Sequence, residues 1–99
     1  MINYRNEVTL IGDVGQTVTN FKGDITMFSV KTCITNGDLT ETTWHDIRVF
    51  CDCPKDLKRG DIVHINGSLA HYYYTNASDG ETTASTVIKA NNIKLVNNQ

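Results

Sequence analysis

Positive charge and long apolar runs are scarce in this chain of 99 residues. Lys and Arg number 9 against 11 Asp and Glu, so the formal net charge is -2. That balance argues against bulk electrostatic capture of duplex nucleic acid, which needs many cations at the phosphates. It leaves binding by aromatic stacking open. No apolar run approaches the length of about 20 residues that crosses a membrane, so we expect no membrane-spanning segment.

Cysteine is also scarce, with three residues in the chain. An odd number of cysteines, in a chain without secretory features at its start, predicts reduced thiols and a cytoplasmic protein. Cys51 and Cys53, with Cys33 and His45, have the chemistry of zinc ligands. Their spacing is tighter than zinc sites use and no second pair follows, so we expect no metal and no cofactor. No motif places a histidine to activate a serine or cysteine, and we therefore expect no enzymatic activity.

Length and composition predict one all-β domain over residues 1–99. Thirteen Thr, ten Asn and a single Pro favour strands and turns over long helices. A phase change between Met27 and Phe28 indicates a bulge, and Gly67 marks a bend. Alternation of apolar and polar residues predicts five strands, at residues 7–13, 24 to the turn at 36–38, 40–51, 61–75 and 83–96.

The breaks between these strands suggest how they connect. The first strand is expected to end at the glycine-rich stretch 12–15, and the segment Pro54–Arg59 has room for one or two helical turns before Gly60. Five bent strands with a very short helical insert between strands three and four match a small closed or nearly closed barrel. An OB-fold is the natural candidate, while a competing five-stranded barrel or a sandwich fits the same pattern.

The third strand carries the most informative pattern. Alternation places Ile47 and Val49 toward the core and leaves Trp44, Arg48 and Phe50 on the opposite face. Two large exposed rings with a guanidinium between them suit unpaired bases and their phosphates. Stacking contributes about 1 to 3 kcal/mol per base whatever the base is, so a few rings can sustain binding despite the negative net charge.

Further candidates lie on the fourth strand and among the lysines. Tyr72 and Tyr74 share one face of the fourth strand, whereas alternation assigns Tyr73 to the core side. Lys31 is the lysine that we select for a phosphate contact. The competing interpretation is that the rings pack under a neighbouring loop or in a subunit contact.

Several blocks resemble the single-stranded DNA-binding protein family of bacterial type. The resemblance covers nearly the whole chain, and its carriers are the segments 6–12, 28–32, 43–50 and 58–69. It implies an OB-fold and a homo-oligomer, either a tetramer or a dimer. By this resemblance Trp44 and Phe50 fall on stacking positions, and Tyr74 falls where the family usually has a tryptophan. The implied function is binding of single-stranded DNA with little sequence preference, which protects unwound strands in replication, recombination or repair.

The chain also departs from the family pattern. A further tryptophan is common after the second strand, where this chain reads Ile34-Thr35-Asn36. Cellular members continue into a flexible tail with an acidic tip, whereas this sequence ends at Gln99. We therefore expect no acidic C-terminal tail and no tail-mediated recruitment of partners. If the chain is complete, we expect an origin in a phage, plasmid or other mobile element of a bacterial host, whereas a longer native chain would fit the same sequence.

Two alternative functions fit the same sequence. An RNA-binding or primosome-type OB protein would use the same rings to bind a different nucleic acid. A module for protein interaction would use Trp44, Phe50 and the tyrosines as the centre of an interface.

Overall fold

Five strands form a closed barrel in the computed structural model, which describes residues 2–96. The strands are β1 (Val8–Thr19), β2 (Ile25–Asn36), β3 (Leu39–Val49), β4 (Ile62–Thr75) and β5 (Thr82–Val96). Their order around the barrel is β1-β2-β3-β5-β4, and β4 pairs with β1 to close it. All pairs are antiparallel except β3 with β5. The predicted all-β, five-stranded barrel is confirmed, and it is consistent with an OB-fold.

The barrel interior is filled by aliphatic side chains and Phe28. Its largest fully buried side chains are Val30, Ile47, Val63 and Ile65. Ile47 lies on β3, as the sequence predicts, and the partly buried Val49 packs against the same cluster. Alternation along each strand thus sends one set of side chains into this core and the other set outward.

Strand β1 is longer than predicted. It was expected to end at Asp13, but it continues through Gly15 to Thr19. Between Val14 and Thr17 the register with β2 shifts by one residue, and the Gln16 amide donates a hydrogen bond of 3.0 Å to Ser29 Oγ. The strand absorbs the extra residue as a bulge, so a glycine-rich stretch bends the strand instead of ending it.

The predicted irregularity in β2 is confirmed and lies at Thr26. Val18 pairs with Met27 and Thr19 with Ile25, so Thr26 is the extra residue on this strand. Its hydroxyl donates a hydrogen bond of 3.2 Å to the Val18 carbonyl. The bulge lets two residues of different phase, Ile25 and Phe28, both enter the core.

The predicted helical insert is not confirmed, because residues 2–96 contain no helix. The segment 54–59 forms turns, in which the Leu57 amide donates a hydrogen bond of 3.4 Å to the Pro54 carbonyl. The Lys58 amide instead donates to the Asp61 carboxylate at 3.0 Å, which diverts it from continuing a helix. Leu57 is nevertheless buried in the core, so a turn performs the packing that was expected of a helix.

Two hairpins extend beyond the closed part of the barrel. Strand β3 pairs with β5 only through residues 47–49, and β1 meets β4 only as far as Gly67. The predicted bend at Gly67 coincides with a register shift between β4 and β5, where the Lys89 carbonyl lies against the glycine. Beyond this point β4 and β5 continue as a hairpin without β1. Val87 and Ile88 near its base are still buried, whereas residues 71–84 at its end are exposed on both faces.

The predicted single domain of residues 1–99 cannot be followed to its ends, because Met1 and residues 97–99 lie outside the described residues. The expected absence of an acidic tail concerns the same end of the chain and stays a prediction. No helix in residues 2–96 is long and apolar enough to cross a membrane.

Candidate nucleic-acid interface

The outward face of β3 carries the aromatic residues that the sequence singled out. The Trp44 side chain is 55% exposed and Phe50, which directly follows the strand, is 65% exposed. Ile47 on the opposite face is completely buried, so the alternation predicted for this strand is confirmed. The two rings are therefore available on the outer wall of the barrel.

Trp44 belongs to a shallow pocket that reaches across β2 to β1. Its ring lies over Gly15, and with Gln16, Ser29 and Arg59 it lines an open volume of 270 Å³. We call these five residues the Trp44 patch. Arg59 is brought there by the connection between β3 and β4, which is anchored to β1 by a 2.9 Å hydrogen bond from the Gly60 amide to the Val14 carbonyl. The patch thus combines an exposed aromatic ring with a cation.

Lys31 lies beside Trp44, since the two residues are partners in the β2–β3 register. Its ammonium is 4.0 Å from the Asp13 carboxylate. An exposed ion pair at that distance contributes little to stability and is easily exchanged for another anion. Lys31 is therefore placed at the edge of the Trp44 patch with its charge partly balanced by Asp13.

Phe50 lies in a second concave region, on the side of β3 that faces β5 and β4. This region has an open volume of 380 Å³, and we call it the Phe50 groove; its lining residues are Arg48, Phe50, Ala70, His71, Tyr72, Val87 and Lys89. The Lys89 ammonium lies 4.8 Å from the centre of the Phe50 ring, within the range of a cation–π contact. The groove therefore has aromatic and cationic walls.

Arg48 lines the same groove and is held by two neighbours. Its Cζ lies 4.5 Å from the centre of the Tyr72 ring, and its Nη1 lies 2.9 Å from the sulfur of Met27. Met27 is its register partner on β2, whereas Tyr72 reaches it from the β4–β5 hairpin. Strands that are distant in sequence therefore position this guanidinium.

The tyrosines of β4 divide between the two faces of the hairpin. Tyr72 and Tyr74 share one face, with ring centres 6.4 Å apart, and each is 47% exposed. Tyr73 was expected on the core side, and this prediction is wrong: its side chain is 65% exposed and lies 6.2 Å from the ring of His71. The alternation is as predicted, but this part of the hairpin extends beyond the barrel, so the face that carries Tyr73 does not contact the core.

The structure divides the predicted aromatic stripe into two regions. Trp44 leans over β2 toward β1, whereas Arg48 and Phe50 line a groove with β4 and β5. Six positions along one strand separate the two rings, which corresponds to about 20 Å. The exposed carboxylate of Asp46 lies on the same strand face between them. A single nucleic-acid strand that contacts both regions has to pass this negative charge.

Two cations of the interface were not selected from the sequence. Lys89 lies over Phe50 and Arg59 lines the Trp44 patch. Both are ordinary surface cations in the sequence, and only the pairing of β3 with β5 and the path of the β3–β4 connection bring them to the rings. The apolar residues Ile88 and Ala90 on either side of Lys89 were the one available signal that Lys89 faces outward.

The free cysteines Cys51 and Cys53 do not line either of these two regions. Burial raises the pKa of the Cys51 thiol above its ordinary value of 9.0, and the charge of Asp52 raises it further. Burial and the neighbouring Cys51 raise the pKa of Cys53 in the same direction. Both residues pack against the core. Within residues 2–96, no three His, Cys, Asp or Glu side chains are grouped so that they could hold a metal ion.

The family of this barrel follows from comparison with known proteins. A model of the single-strand binding protein family matches residues 5–96, which is nearly the whole chain. The chain belongs to the single-strand binding protein family. The resemblance drawn from the sequence motifs is thus confirmed at the level of the family.

Curated relatives agree with this assignment. The mitochondrial single-stranded DNA-binding protein of Danio rerio is 28% identical over 94% of this chain and 77% of its own length. The mitochondrial single-stranded DNA-binding protein 1-A of Xenopus laevis is 31% identical over 91% of this chain and 76% of its own length. These relatives are mitochondrial, whereas the sequence motifs suggested a bacterial host.

Solved structures of the family have the same fold. A Plasmodium falciparum SSB in complex with single-stranded DNA matches with a TM-score of 0.76 at 23% identity, covering 98% of this chain and 99% of that one. The mitochondrial single-stranded DNA-binding protein Rim1 of S. cerevisiae matches with a TM-score of 0.65 at 18% identity, covering 95% and 97%. At these identities the likeness establishes a shared barrel.

Proposed function

We propose that this protein binds single-stranded DNA with little sequence preference and so protects unwound strands in replication, recombination or repair. The observation that carries the proposal is the pair of exposed rings, Trp44 and Phe50, each beside a cation on the outer wall of a barrel of the single-strand binding protein family. Base stacking on Trp44, Phe50 and Tyr74 supplies most of the affinity. Arg48 and Lys31 contact phosphates.

Stacking explains both the lack of sequence preference and the tolerance of a negative net charge. Every base has an aromatic face, so a ring platform accepts any of them, and each stacked base contributes about 1 to 3 kcal/mol. The phosphate contribution is modest, because each neutralised phosphate adds a slope of about 0.7 to the salt dependence for a single strand. Binding therefore weakens with salt, but less steeply than for a lysine-rich protein.

The Trp44 patch and the Phe50 groove act as two platforms for one strand. They lie about 20 Å apart along β3, a distance that a few extended nucleotides cover. Tyr74 extends the second platform onto the β4–β5 hairpin, where its ring is 47% exposed. The departure at Ile34-Thr35-Asn36 removes a third platform that the family often has, so we expect a shorter binding site.

We also propose that the protein is a homo-oligomer, either a tetramer or a dimer. This proposal rests on the family to which the chain belongs and on the resemblance of its sequence to the bacterial members. Light scattering of the purified protein distinguishes the two sizes, and a monomeric mass contradicts the proposal.

We also expect the protein to be located in the cytoplasm of a bacterial host. Its expected origin is a phage or another mobile element.

Titration with a thymidine oligomer tests the function. At low salt we expect the fluorescence of Trp44 to be quenched as the oligomer binds. Anisotropy of a labelled oligomer then measures the affinity of the Trp44→Ala and Phe50→Ala double variant, which lacks the tryptophan signal. We expect a loss of at least about 30-fold, from about 1 kcal/mol or more per ring.

The matched control removes an equally exposed apolar side chain elsewhere. Leu39 at the start of β3 is 71% exposed and belongs to neither platform, so Leu39→Ala should leave the affinity unchanged. No binding by the unmodified protein, or equal affinity of the double variant, contradicts the proposal. A matched uridine oligomer separates the RNA alternative: tighter binding of RNA than of DNA would favour it.

A further inference from the structure

Arg48 is an unusually constrained cation for a surface strand. Its Cζ lies 4.5 Å from the centre of the Tyr72 ring and its Nη1 lies 2.9 Å from the Met27 sulfur. A thioether sulfur is a weak hydrogen-bond acceptor, so the contact with Met27 locates the guanidinium without satisfying it. The two neighbours therefore fix the position of Arg48 while leaving most of its hydrogen-bonding capacity unused.

The charge of Arg48 has no anionic partner among the described residues. The single ion pair found within residues 2–96 joins Lys31 to Asp13, and the buried Nε of Arg48 has no hydrogen-bond acceptor there. A positioned guanidinium with unused donors at the edge of a groove is suited to an incoming phosphate.

The ring of Tyr72 is committed to this cation. Arg48 lies over it, and Tyr74 flanks it at 6.4 Å on the same face of the hairpin. A base that stacked on Tyr72 from the side of Arg48 would have to displace the guanidinium. Tyr74 has no cation over its ring among the described contacts, so its ring is free to accept a base.

Lys89 on Phe50 provides a useful contrast. Lys89 is exposed and its ammonium ends a flexible chain, so it can move aside for a base while keeping its charge near the strand. Arg48 is half-buried and is held from two sides, by Met27 and Tyr72. The Arg48–Tyr72 and Lys89–Phe50 contacts have similar distances, but only the Lys89 cation is free to move away from its ring.

We propose that Tyr72 is a positioning residue, whose ring holds the Arg48 guanidinium at the Phe50 groove so that Arg48 binds a phosphate, and that Tyr72 itself stacks no base. The proposal rests on the proposed binding of single-stranded DNA and assigns distinct roles to neighbouring tyrosines. It changes the role expected for Tyr72 from the sequence, where Tyr72 was a candidate for direct contact with the DNA.

A double-mutant cycle tests the proposal with a labelled thymidine oligomer over a salt series. The variants are Tyr72→Phe, Tyr72→Leu, Arg48→Gln and the double variant of the last two. Tyr72→Phe keeps the ring and should bind within about twofold of the unmodified protein. Tyr72→Leu should weaken binding about three- to tenfold, because the guanidinium loses its support. Arg48→Gln should weaken binding at least as much and lower the salt slope by about 0.7.

The decisive result is the effect of Tyr72→Leu in the Arg48→Gln background. If Tyr72 acts only through Arg48, this second change should cost less than about twofold, because coupled sites are not additive. If Tyr72→Leu lowers the affinity by the same factor with Arg48 present and with Arg48→Gln, then Tyr72 stacks a base itself. That result would overturn the proposal. An unchanged affinity of Tyr72→Leu in the presence of Arg48 would overturn it as well.

Two controls keep these outcomes distinct. Tyr73→Leu alters the neighbouring ring on the opposite face of the hairpin and should leave affinity and salt slope unchanged. The Arg48 Nε–H signal in NMR spectra of the DNA-free protein reports the contact directly: Tyr72→Phe should retain its ring-current shift and Tyr72→Leu should lose it. Absence of binding by the unmodified protein would instead contradict the proposed function, whereas this signal would still report whether Tyr72 holds Arg48.

Discussion

The ring of Trp44 lies against the backbone of Gly15, across β2 from its own strand. A Cβ atom at position 15 would come within 2.5 Å of the ring atom Cζ3 of Trp44 and within 2.5 Å of Ser29 Oγ. A side chain at position 15 would force the Trp44 ring or the Ser29 side chain to move, so the absence of one at Gly15 allows the ring to approach β1 closely. The bulge of β1 therefore shapes the Trp44 patch.

Replacing Gly15 with alanine should displace the indole. We expect Gly15→Ala to cost at most about 1 kcal/mol of stability, because the side chains that it meets can move at the surface, to shift the Trp44 emission and to weaken binding of a thymidine oligomer. Thermal unfolding and fluorescence measure the first two effects. Gly80→Ala is the control: Gly80 has a φ of 72° with open space around it, so this change strains a turn without moving Trp44. An unchanged emission in Gly15→Ala would contradict the role of Gly15.

Trp44 and Phe50 should contribute independently to binding. They occupy separate regions about 20 Å apart, and the free-energy effects of mutations at distant sites with no shared partner add to within about 0.5 kcal/mol. The losses of affinity in Trp44→Ala and Phe50→Ala should therefore multiply in the double variant. Anisotropy with one oligomer that is long enough to reach both regions measures this. A double variant no weaker than the weaker single variant would show that the strand contacts one region at a time.

The carboxylate of Asp46 should oppose binding. It is exposed on the outward face of β3, between Trp44 and Arg48. Asp46→Asn removes the charge at nearly constant shape, so we expect about two- to fivefold tighter binding at low salt. The gain should shrink as salt screens the interaction. Glu41→Asn, at the far end of the strand, is the control with the same change of charge. Equal gains in both variants would indicate a general effect of net charge.

The partly buried thiols of Cys51 and Cys53 should be less reactive at neutral pH than the exposed thiol of Cys33. Burial raises the pKa of Cys51 and Cys53 above the ordinary 9.0, so their thiolate fraction is small. Iodoacetamide should therefore modify exposed Cys33 before either of them, as mass spectrometry of the native protein can show. In the unfolded protein these thiols have their ordinary, lower pKa, so the unfolded state loses its thiol protons at a lower pH than the folded state. The free energy of unfolding should therefore fall as the pH rises above about 9. Cys51→Ser with Cys53→Ser should reduce that fall, and a stability independent of pH in this range would contradict it.

Much of the candidate site was predictable from short-range pattern. Trp44 and Phe50 were assigned to the outer face of one strand because alternation and the opposing Ile47 leave no other arrangement. The same reasoning failed for Tyr73, because it counts faces and cannot tell where a strand leaves the barrel. It also failed at Pro54–Arg59, where an aspartate side chain captured the amide that a helix would have used.

The amino-acid sequence by itself determined five strands, the residues that face inward on β3, and the aromatic outer face. These follow from alternation, which is a property of neighbouring residues. Only the tertiary structure decided that Arg48 lies on Tyr72, that Lys89 lies on Phe50 and that Trp44 crosses to Gly15. Each of these contacts joins strands far apart in the chain, so it depends on how the barrel closes and on the register of its non-consecutive strands.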